Sequence, residues 1–205
     1  MSTPITPQTP HGVAFFERQF REQVAAADYA LNPFERALLP LLWGDVLELG
    51  CGLGNLSLAA ARAGCRVTAL DASASATADL ARRARAAGLA LEAHPADLRH
   101  YVPARDYNAV VAVGLLMFLD AVSARALLAR MQAAVRPGGI AAVNVLVEGT
   151  TYMGMFDPAA WCLFGQDELS VAFEGWEVLH SEHAQFDAPG GTVKRFHTLA
   201  ARRPL

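Results

Sequence analysis

The ten-residue stretch VLELGCGLGN, from Val46 to Asn55, decides the fold of this 205-residue chain. Its first four residues are apolar apart from Glu48 and predict a buried strand. Three glycines follow at alternate positions, and apolar residues then recur at helical spacing from Leu56 to Ala63. A strand, a glycine turn and a helix in this order predict the start of a βαβ unit with a ligand at the turn.

The spacing of Gly50, Gly52 and Gly54 indicates which ligand the turn accommodates. Glycine allows a positive φ angle and lets a ligand approach the main chain without meeting a Cβ. The dinucleotide pattern GxGxxG directs a helix N-terminus at a pyrophosphate. The GxGxG pattern found here suits a ligand without pyrophosphate, such as S-adenosylmethionine, and argues against a NAD-dependent enzyme.

Composition narrows the class of protein. The chain has a net charge of −3 and is 53% hydrophobic, which suits one domain that buries its own core. No apolar run reaches the roughly 18–20 residues of a membrane span, and the N-terminus lacks the layout of a signal peptide. We therefore expect a soluble, cytoplasmic protein. The absence of a basic run argues against nucleic-acid binding.

The three cysteines are too few and too scattered for a disulfide framework or a zinc site, so no metal is expected. They are Cys51, Cys65 and Cys162. Cys51 is interpreted as a small buried residue within the glycine turn.

Two acidic residues follow the next two predicted strands. The second strand, Arg66–Leu70, ends at Asp71, which lies 19 residues after Gly52. An acid at this position can accept hydrogen bonds from both ribose hydroxyls of a nucleoside. The alternative is that it caps the helix predicted over Ser73–Ala87.

The third strand, Leu89–Ala93, is followed by Asp97 and Leu98. The Asp97 carboxylate is expected to accept from an adenine amino group, and the Leu98 backbone to donate to a ring nitrogen. The apolar run from Asn108 to Val113 predicts a central parallel strand, with Gly114 at its ligand-binding end. Met117 or Phe118 would pack there beside the cofactor or, alternatively, in the core.

The remaining segments complete an α/β pattern. Residues 1–12 are predicted to be a mobile tail and residues 13–205 a single domain. Further helices are predicted around Phe15–Val24, over 34–42, from a cap at Ser123, and around Gln166–Phe173. Ile140–Val147 is the fifth strand, and Trp176–His183 and Thr192–Ala201 are two adjacent strands joined through Pro189-Gly190-Gly191.

Four segments in this order make the chain resemble a class I S-adenosylmethionine-dependent methyltransferase. They are VLELGCGLGN, LDAS at Asp71, PADL at Asp97, and VRPGG before the fifth strand. Within that superfamily it is most similar to the tellurite-resistance methyltransferases, through GLLMFLDA, ARMQAAVRPGG, FEGWEV and KRFHTLAARR. The resemblance implies a doubly wound α/β fold whose seven-stranded, mostly parallel sheet has an antiparallel last strand.

The resemblance and the motifs together give a set of cofactor-binding residues. Tyr29 would close over the cofactor, or else be a packed aromatic. The set is Tyr29, Glu48, Gly50, Cys51, Gly52, Asn55, Asp71, Ala72, Asp97, Leu98 and Gly114.

Residues 148–165 would fold over the reacting methyl group in this family. The segment is rich in aromatic residues and methionine, and Tyr152, Phe156 or Trp161 could contact a sulfonium by cation–π interaction. The alternative is an ordinary packed loop. A thiolate or a chalcogen oxyanion such as tellurite would need no general base, whereas a hydroxyl or amine would.

The candidates for a catalytic residue are Tyr152 and His183, with His197 as a further histidine. The adjacent His-Arg pair that the tellurite-type enzymes carry near His183-Ala184-Gln185-Phe186 is not reproduced. Two functions remain open: a small-molecule methyltransferase, expected as a monomer or homodimer, and a cofactor-binding sensor or inactive partner without transfer activity.

Overall fold

The computed structural model describes residues 29–205, so the predicted tail and the helix expected around Phe15–Val24 lie outside the described residues. Seven strands form one sheet in the order β3-β2-β1-β4-β5-β7-β6. The strands are β1 Asp45–Leu49, β2 Arg66–Asp71, β3 Leu91–Pro95, β4 Tyr107–Val113, β5 Val135–Leu146, β6 Glu177–Ala188 and β7 Thr192–Arg202.

Helices cover both faces of this sheet. They are α1 Pro33–Leu38, α2 Asn55–Arg62, α3 Ala74–Ala86, α4 Ala121–Ala133 and α5 Glu168–Ala172, with short 3₁₀ turns at Leu39–Leu41, Leu116–Phe118 and Pro189–Gly191. Apolar residues of α1, α2 and α3 pack on one face, and those of α4 and α5 on the other. This confirms the predicted doubly wound α/β fold.

Strand β7 runs against both of its neighbours, while β1 to β5 pair in parallel. This confirms the antiparallel last strand. Leu146 at the end of β5 pairs with Phe196, so the first residues of β7 project past β5 at the sheet edge where the parallel strands end. The hairpin thus brings β7 residues to the edge that carries the glycine turn.

The third strand begins two residues later than predicted. Gly88 has a φ of 64°, and the Leu89 N–H donates to the Ala84 carbonyl at 3.0 Å. This is a Schellman termination of α3. Leu89 therefore closes the helix and cannot start the strand.

Helix α4 begins before Ser123, so the predicted cap at that residue is wrong. Asp120 is the N-cap, and its Oδ1 accepts from the N–H groups of Val122 and Ser123 at 3.0 Å. An aspartate caps a helix as well as a serine does. Strand β5 likewise starts earlier than predicted, because Arg136–Gly139 belong to it.

The opposite edge of the sheet is held by a buried carboxylate. Asp45 is 3% exposed, and its oxygens lie 2.7 Å from Arg66 Nε, 3.3 Å from Arg105 Nη1 and 3.5 Å from Arg136 Nη1. The hydrogen bond from Arg66 lowers the pKa of Asp45, with smaller contributions from the other two charges.

No helix within residues 29–205 combines the length and the apolar character needed to cross a bilayer.

Candidate active site

The glycine turn lies where β1 ends, beside the end of β2. The N–H groups of Gly50 and Cys51 both donate to the Leu70 carbonyl, at 2.8 and 3.0 Å. Gly50, Gly52 and Gly54 have φ angles of 72°, 52° and 71°, in the left-handed region that favours glycine. The turn therefore has the conformation expected of a backbone that a ligand can approach closely.

Packing within the chain also requires two of these glycines. A Cβ on Gly54 would overlap the buried side chain of Leu80 in α3, and one on Gly50 would lie 2.9 Å from the Cβ of Leu115. Cys51 is buried, which raises the pKa of its thiol well above the usual range. Glycine is thus needed at Gly50 and Gly54 for packing within the chain as well as for the expected ligand approach.

Asp71 is hydrogen-bonded to the glycine turn. The Gly52 N–H donates to Asp71 Oδ2 at 2.8 Å, and the Ser73 N–H donates to Oδ1 at 2.8 Å. Ser73 is the N-cap of α3, because its hydroxyl accepts from the Ala76 N–H at 3.1 Å. The helix-capping alternative for Asp71 is therefore wrong. Ala72, between the two, is exposed.

A second carboxylate, Glu48, is 4% exposed in β1 and accepts a hydrogen bond from the Ser57 hydroxyl. Burial, with the negative charges of Glu35 and Asp71, raises the pKa of Glu48 to about 8. Burial also raises the pKa of Glu35, at the start of α1. With a pKa of about 8, Glu48 is protonated at neutral pH, and the negative charge of Asp71 near it favours a cationic ligand.

Asp97 lies two residues past β3, at the same edge of the sheet. Arg99 Nε and Nη2 donate to its two oxygens at 2.9 and 2.8 Å, and this hydrogen bonding lowers the pKa of Asp97. Leu98 is 5% exposed and belongs to the core. An adenine amino group bound by Asp97 would share the carboxylate with Arg99.

Tyr29 and Asn55 lie on the outer side of the turn. The Asn55 amide donates to the Ala30 carbonyl at 3.3 Å. The Arg83 guanidinium lies 4.5 Å from the Tyr29 ring centroid and donates to the Leu53 carbonyl. Tyr29 and Asn55 line a surface cavity of about 350 Å³ between α2 and α3, and these contacts hold the described N-terminal segment against the turn.

Gly114 follows the central strand β4 with a φ of 66°, and within residues 29–205 no heavy atom other than its own and those of its chain neighbours lies within 4 Å of the place where its Cβ would be. Leu115 then packs against Gly50. Gly114 therefore gives the crevice an open stretch of backbone next to the glycine turn.

Beyond Gly114 lies an apolar group that we call the edge cluster. Its buried members are Met117, Leu146, Met155 and Phe156, and its partly buried members are Phe118, Tyr152, Met153, Leu163 and Phe196. The Phe156 ring centroid lies 5.2 Å from that of Phe118 and 5.7 Å from that of Trp161. Residues 148–165 thus form an apolar cover over the ends of β4, β5 and β7.

Backbone hydrogen bonds hold the cover segment to its neighbours. The Cys162 N–H donates to the Met117 carbonyl at 3.1 Å, and the Tyr152 N–H donates to the Val193 carbonyl at 3.2 Å. The Lys194 Nζ lies 4.7 Å from the Tyr152 ring centroid. Tyr152 is therefore held between the edge cluster and the beginning of β7.

The two histidines of the last strands stack on each other, with ring centroids 4.0 Å apart. His183 is exposed, whereas His197 is fully buried and its Nε2 lies 3.0 Å from Ser181 Oγ. Burial, and then the charge of His183, lowers the pKa of His197 to about 4.

The structure places the two predicted catalytic residues on opposite sides of β7. Lys194, which contacts Tyr152, and His197, which contacts His183, are three residues apart in a strand of regular register. Side chains at such a spacing point to opposite faces of a sheet. Tyr152 and His183 therefore do not converge on one point.

Within residues 29–205, no three His, Cys, Asp or Glu side chains are grouped so as to hold a metal ion.

Sequence reasoning missed Lys194 and Glu35. Lys194 could have been noticed because it is the sole lysine among the 17 basic residues of the chain. Glu35 follows an Asn-Pro helix start and forms a capping box with Asn32, a pattern that gives no indication of its nearness to Glu48.

Comparison with known proteins agrees with this geometry. Residues 46–139 match a family model described as a methyltransferase domain. A curated relative, Hemagglutinin 1 from Eikenella corrodens, is 32% identical over 164 residues, which are 77% of this chain and 54% of that protein. The chain thus spans about half the length of this relative.

Solved structures share the fold, among them TehB and NodS. TehB from Haemophilus influenzae superposes with a TM-score of 0.75 at 20% identity, covering 88% of this chain and 65% of TehB. The N-methyltransferase NodS from Bradyrhizobium japonicum WM9, in complex with S-adenosyl-L-homocysteine, gives a TM-score of 0.72 at 17% identity and covers 95% of this chain and 100% of NodS.

Proposed function

We propose that the protein is an S-adenosylmethionine-dependent methyltransferase that acts on a small-molecule acceptor, which is supported by the match of residues 46–139 to a methyltransferase-domain model and by the fold shared with NodS. The cofactor of this family is S-adenosylmethionine. The observation that carries the proposal is the meeting of the glycine turn, Asp71 and Gly114 at one edge of the sheet, next to an apolar cover. A candidate binding site for a nucleoside thus adjoins a largely apolar surface.

The residues present fit the cofactor. S-adenosylmethionine carries a sulfonium and an ammonium group, and the negative charge of Asp71 lies near the protonated Glu48 in the crevice. We assign the ribose hydroxyls to Asp71, whose carboxylate lies at the glycine turn and accepts from the Gly52 and Ser73 N–H groups. Asp97 and Leu98 are assigned to the adenine ring.

The other predicted residues surround these contacts. Gly50, Cys51, Gly52 and Gly114 are assigned to close backbone approach. Ala72, beside Asp71, is assigned to the ribose. Asn55 and Tyr29 are assigned to the outer side of the turn, where they hold the chain that would close over the cofactor.

The chemistry that the bound cofactor supplies is an electrophilic methyl group on a good leaving group. The protein then has to align the acceptor for in-line displacement and exclude water. The edge cluster and the cover over residues 148–165 are suited to both tasks. No step requires a metal ion.

Of the two catalytic candidates, the geometry favours Tyr152, because it belongs to the edge cluster. His183 lies on the other face of β7. It therefore does not face an acceptor bound at the edge cluster. An acceptor that ionises by itself, such as a thiol or a chalcogen oxyanion, would need neither as a base.

A tellurite-like acceptor is one version of this proposal. It is supported by the sequence segments shared with the tellurite-resistance methyltransferases and by the fold likeness to TehB. We further propose a cytoplasmic enzyme that acts as a monomer or homodimer and binds no nucleic acid or membrane, since the net charge is −3 and no basic run is present.

The competing function is a sensor or inactive partner that binds the cofactor without transferring its methyl group. Isothermal titration with S-adenosylmethionine, S-adenosylhomocysteine and NAD⁺ tests the binding site, and we expect the first two alone to bind. Incubation with methyl-labelled cofactor and a panel of thiols, selenite, tellurite and phenols then tests transfer. Tight cofactor binding without transfer to any acceptor would favour the sensor.

A further inference from the structure

We propose that Lys194 determines acceptor specificity: its ammonium group, held against the Tyr152 ring at the border of the edge cluster, binds the anionic group of a small acceptor with an apolar body. This inference rests on the proposed function, because it takes the edge cluster as the acceptor site. It adds the chemical class of the acceptor and the residue that selects it.

The position of Lys194 follows from the direction of β7. Phe196 pairs with Leu146, the last residue of β5, so Lys194 lies two residues beyond the end of that strand. It shares a face of β7 with Phe196, which packs in the edge cluster. The side chain thus extends along the cluster to the cover segment, where its Nζ lies 4.7 Å from the Tyr152 ring centroid.

The charge of Lys194 is not neutralised within residues 29–205, where no carboxylate oxygen lies within 4.0 Å of its Nζ. Most charged arginines of this part of the chain do have such partners: Arg66, Arg82, Arg83, Arg99, Arg105, Arg125, Arg136 and Arg202. Lys194 is nevertheless half-buried, and this partial burial lowers the pKa of its ammonium group. A half-buried cation without a counter-ion gains more from an anionic ligand than an exposed one does.

The surroundings of Lys194 define the rest of the ligand. Tyr152, Phe196 and the buried members of the edge cluster are aromatic, aliphatic or thioether groups. Such a surface binds an apolar or aromatic body, and a single cation at its border fixes the orientation of a charged group. The acceptor we infer is therefore a small organic anion, or a polarisable inorganic oxyanion.

The negative and positive charges of the crevice lie on different sides of Gly114, which agrees with an anionic acceptor. Asp71 carries its negative charge at the glycine turn, where it suits a cationic cofactor. Lys194 lies on the other side of Gly114, at the end of β7. This division would keep an anionic acceptor away from Asp71 and direct it toward the cover segment.

Because Lys194 is the sole lysine, labelling with ¹³Cε-lysine gives one resonance that reports its ionisation. The experiment titrates the protein, loaded with S-adenosylhomocysteine, with benzoate, with the neutral isostere benzamide, and with selenite. We expect benzoate or selenite to shift the resonance and raise the pKa of Lys194, and benzamide to do neither. No response to either anion would overturn the proposal.

Matched variants separate charge recognition from packing. Lys194→Met should weaken benzoate binding at least about tenfold, the loss of one charge-assisted hydrogen bond, and Lys194→Arg should largely restore it. Arg195→Met removes the neighbouring charge on the opposite face, where the arginine bonds Gln185, and should leave benzoate binding unchanged. Equal binding by the Lys194→Met protein, or an equal loss in Arg195→Met, would contradict the proposal.

S-adenosylhomocysteine affinity is measured for every variant. Retained affinity together with lost anion binding supports the role of Lys194. If the parent protein does not bind S-adenosylhomocysteine, the proposed function fails. If it binds the nucleoside but no anion reaches Lys194, only the present inference fails.

Discussion

At the residue scale, the crevice combines a group whose ionisation is tied to folding with a group that we propose binds the ligand. Glu48 is of the first kind, because it is buried in the middle of the fold and accepts from Ser57. Asp71 is of the second, since it is half-buried and is hydrogen-bonded to the glycine turn.

Replacement of Glu48 by Gln should change how stability depends on pH. The pKa of Glu48 is raised from 4.5 to about 8, so in this window the folded protein holds a proton that the unfolded chain has released. Stability therefore falls as pH rises through the window. The Glu48→Gln protein lacks this loss. Its free energy of unfolding relative to that of wild type should therefore rise by on the order of 1–2 kcal/mol between about pH 5.5 and about pH 7.5.

Urea denaturation of both proteins across this pH range measures the difference. Parallel stability curves would show that Glu48 ionises normally in the fold.

Replacement of Asp71 by Ala should weaken S-adenosylmethionine binding by about 1.5–3 kcal/mol, the range for hydrogen bonds to a charged group. Asp71→Asn keeps one acceptor oxygen for the Gly52 N–H and so tests the ligand contact with less change in the turn. Calorimetric titration gives both affinities. Unchanged affinity in both variants would remove the ribose assignment.

At the scale of elements, the β6–β7 hairpin carries unlike chemistry on its two faces. Lys194 and Phe196 face the edge cluster, whereas His197 is buried on the other side against His183. His197 stays neutral there, because burial holds its pKa near 4.

We therefore expect the hairpin to make the folded protein less stable at acid pH. His197 has its pKa lowered from 6.5 to about 4, so the unfolded chain takes up a proton that the fold excludes, and stability is lost as pH falls through this range. Replacement of His197 by Phe should reduce the loss between about pH 7 and about pH 5 by on the order of 1–2 kcal/mol.

Thermal denaturation at the two pH values measures this effect. His94→Gln is the control, since His94 is an exposed strand residue. An equal acid sensitivity in wild type and His197→Phe would argue against a buried neutral imidazole.

Sequence patterns predicted the elements better than their ends. Gly64 and Gly88 follow α2 and α3 with φ angles of 97° and 64°, and the Schellman bond from Leu89 moves the start of β3. The cap predicted at Ser123 lies three residues too late, because Asp120 accepts from the N–H groups of Val122 and Ser123. The strand–turn–helix order around Gly50 needed no tertiary information, because a glycine run after an apolar strand permits few local structures.

The sequence predicted the positions of those candidate site residues that lie at the end of a parallel strand. Asp71 and Gly114 could be placed because parallel strands end at one edge. Lys194 could not, because its nearness to Tyr152 depends on the register of an antiparallel hairpin and on the path of the cover segment. The separation of Tyr152 from His183 has the same cause.

At the scale of the whole molecule, the two edges of the sheet have different tasks. The edge with the glycine turn forms the proposed site. The opposite edge is held by Asp45 and three arginines. Each edge carries a carboxylate, Asp45 or Asp71. Replacing one or the other therefore allows the effects on protein stability and on ligand binding to be compared.

Replacement of Asp45 by Asn should lower stability by about 1–2 kcal/mol, a modest loss because its arginine partners are largely exposed. S-adenosylhomocysteine affinity should not change, since Asp45 lies at the other end of β1 from the turn. Denaturation and calorimetry on the same sample provide the test. A loss of affinity comparable to that of Asp71→Asn would show that the two edges are coupled.

The reversed direction of β7 has a consequence for how this protein can diverge. Side chains alternate along a strand, so one residue deleted from the hairpin tip, Pro189–Gly191, could shift the register by a single position. Arg195 would then replace Lys194 opposite the tyrosine, exchanging a compact charge for a planar, bidentate one, while an imidazole would leave the core. A single codon lost from this loop could thus redirect which molecules are modified, without any substitution among the residues proposed to hold the methyl donor.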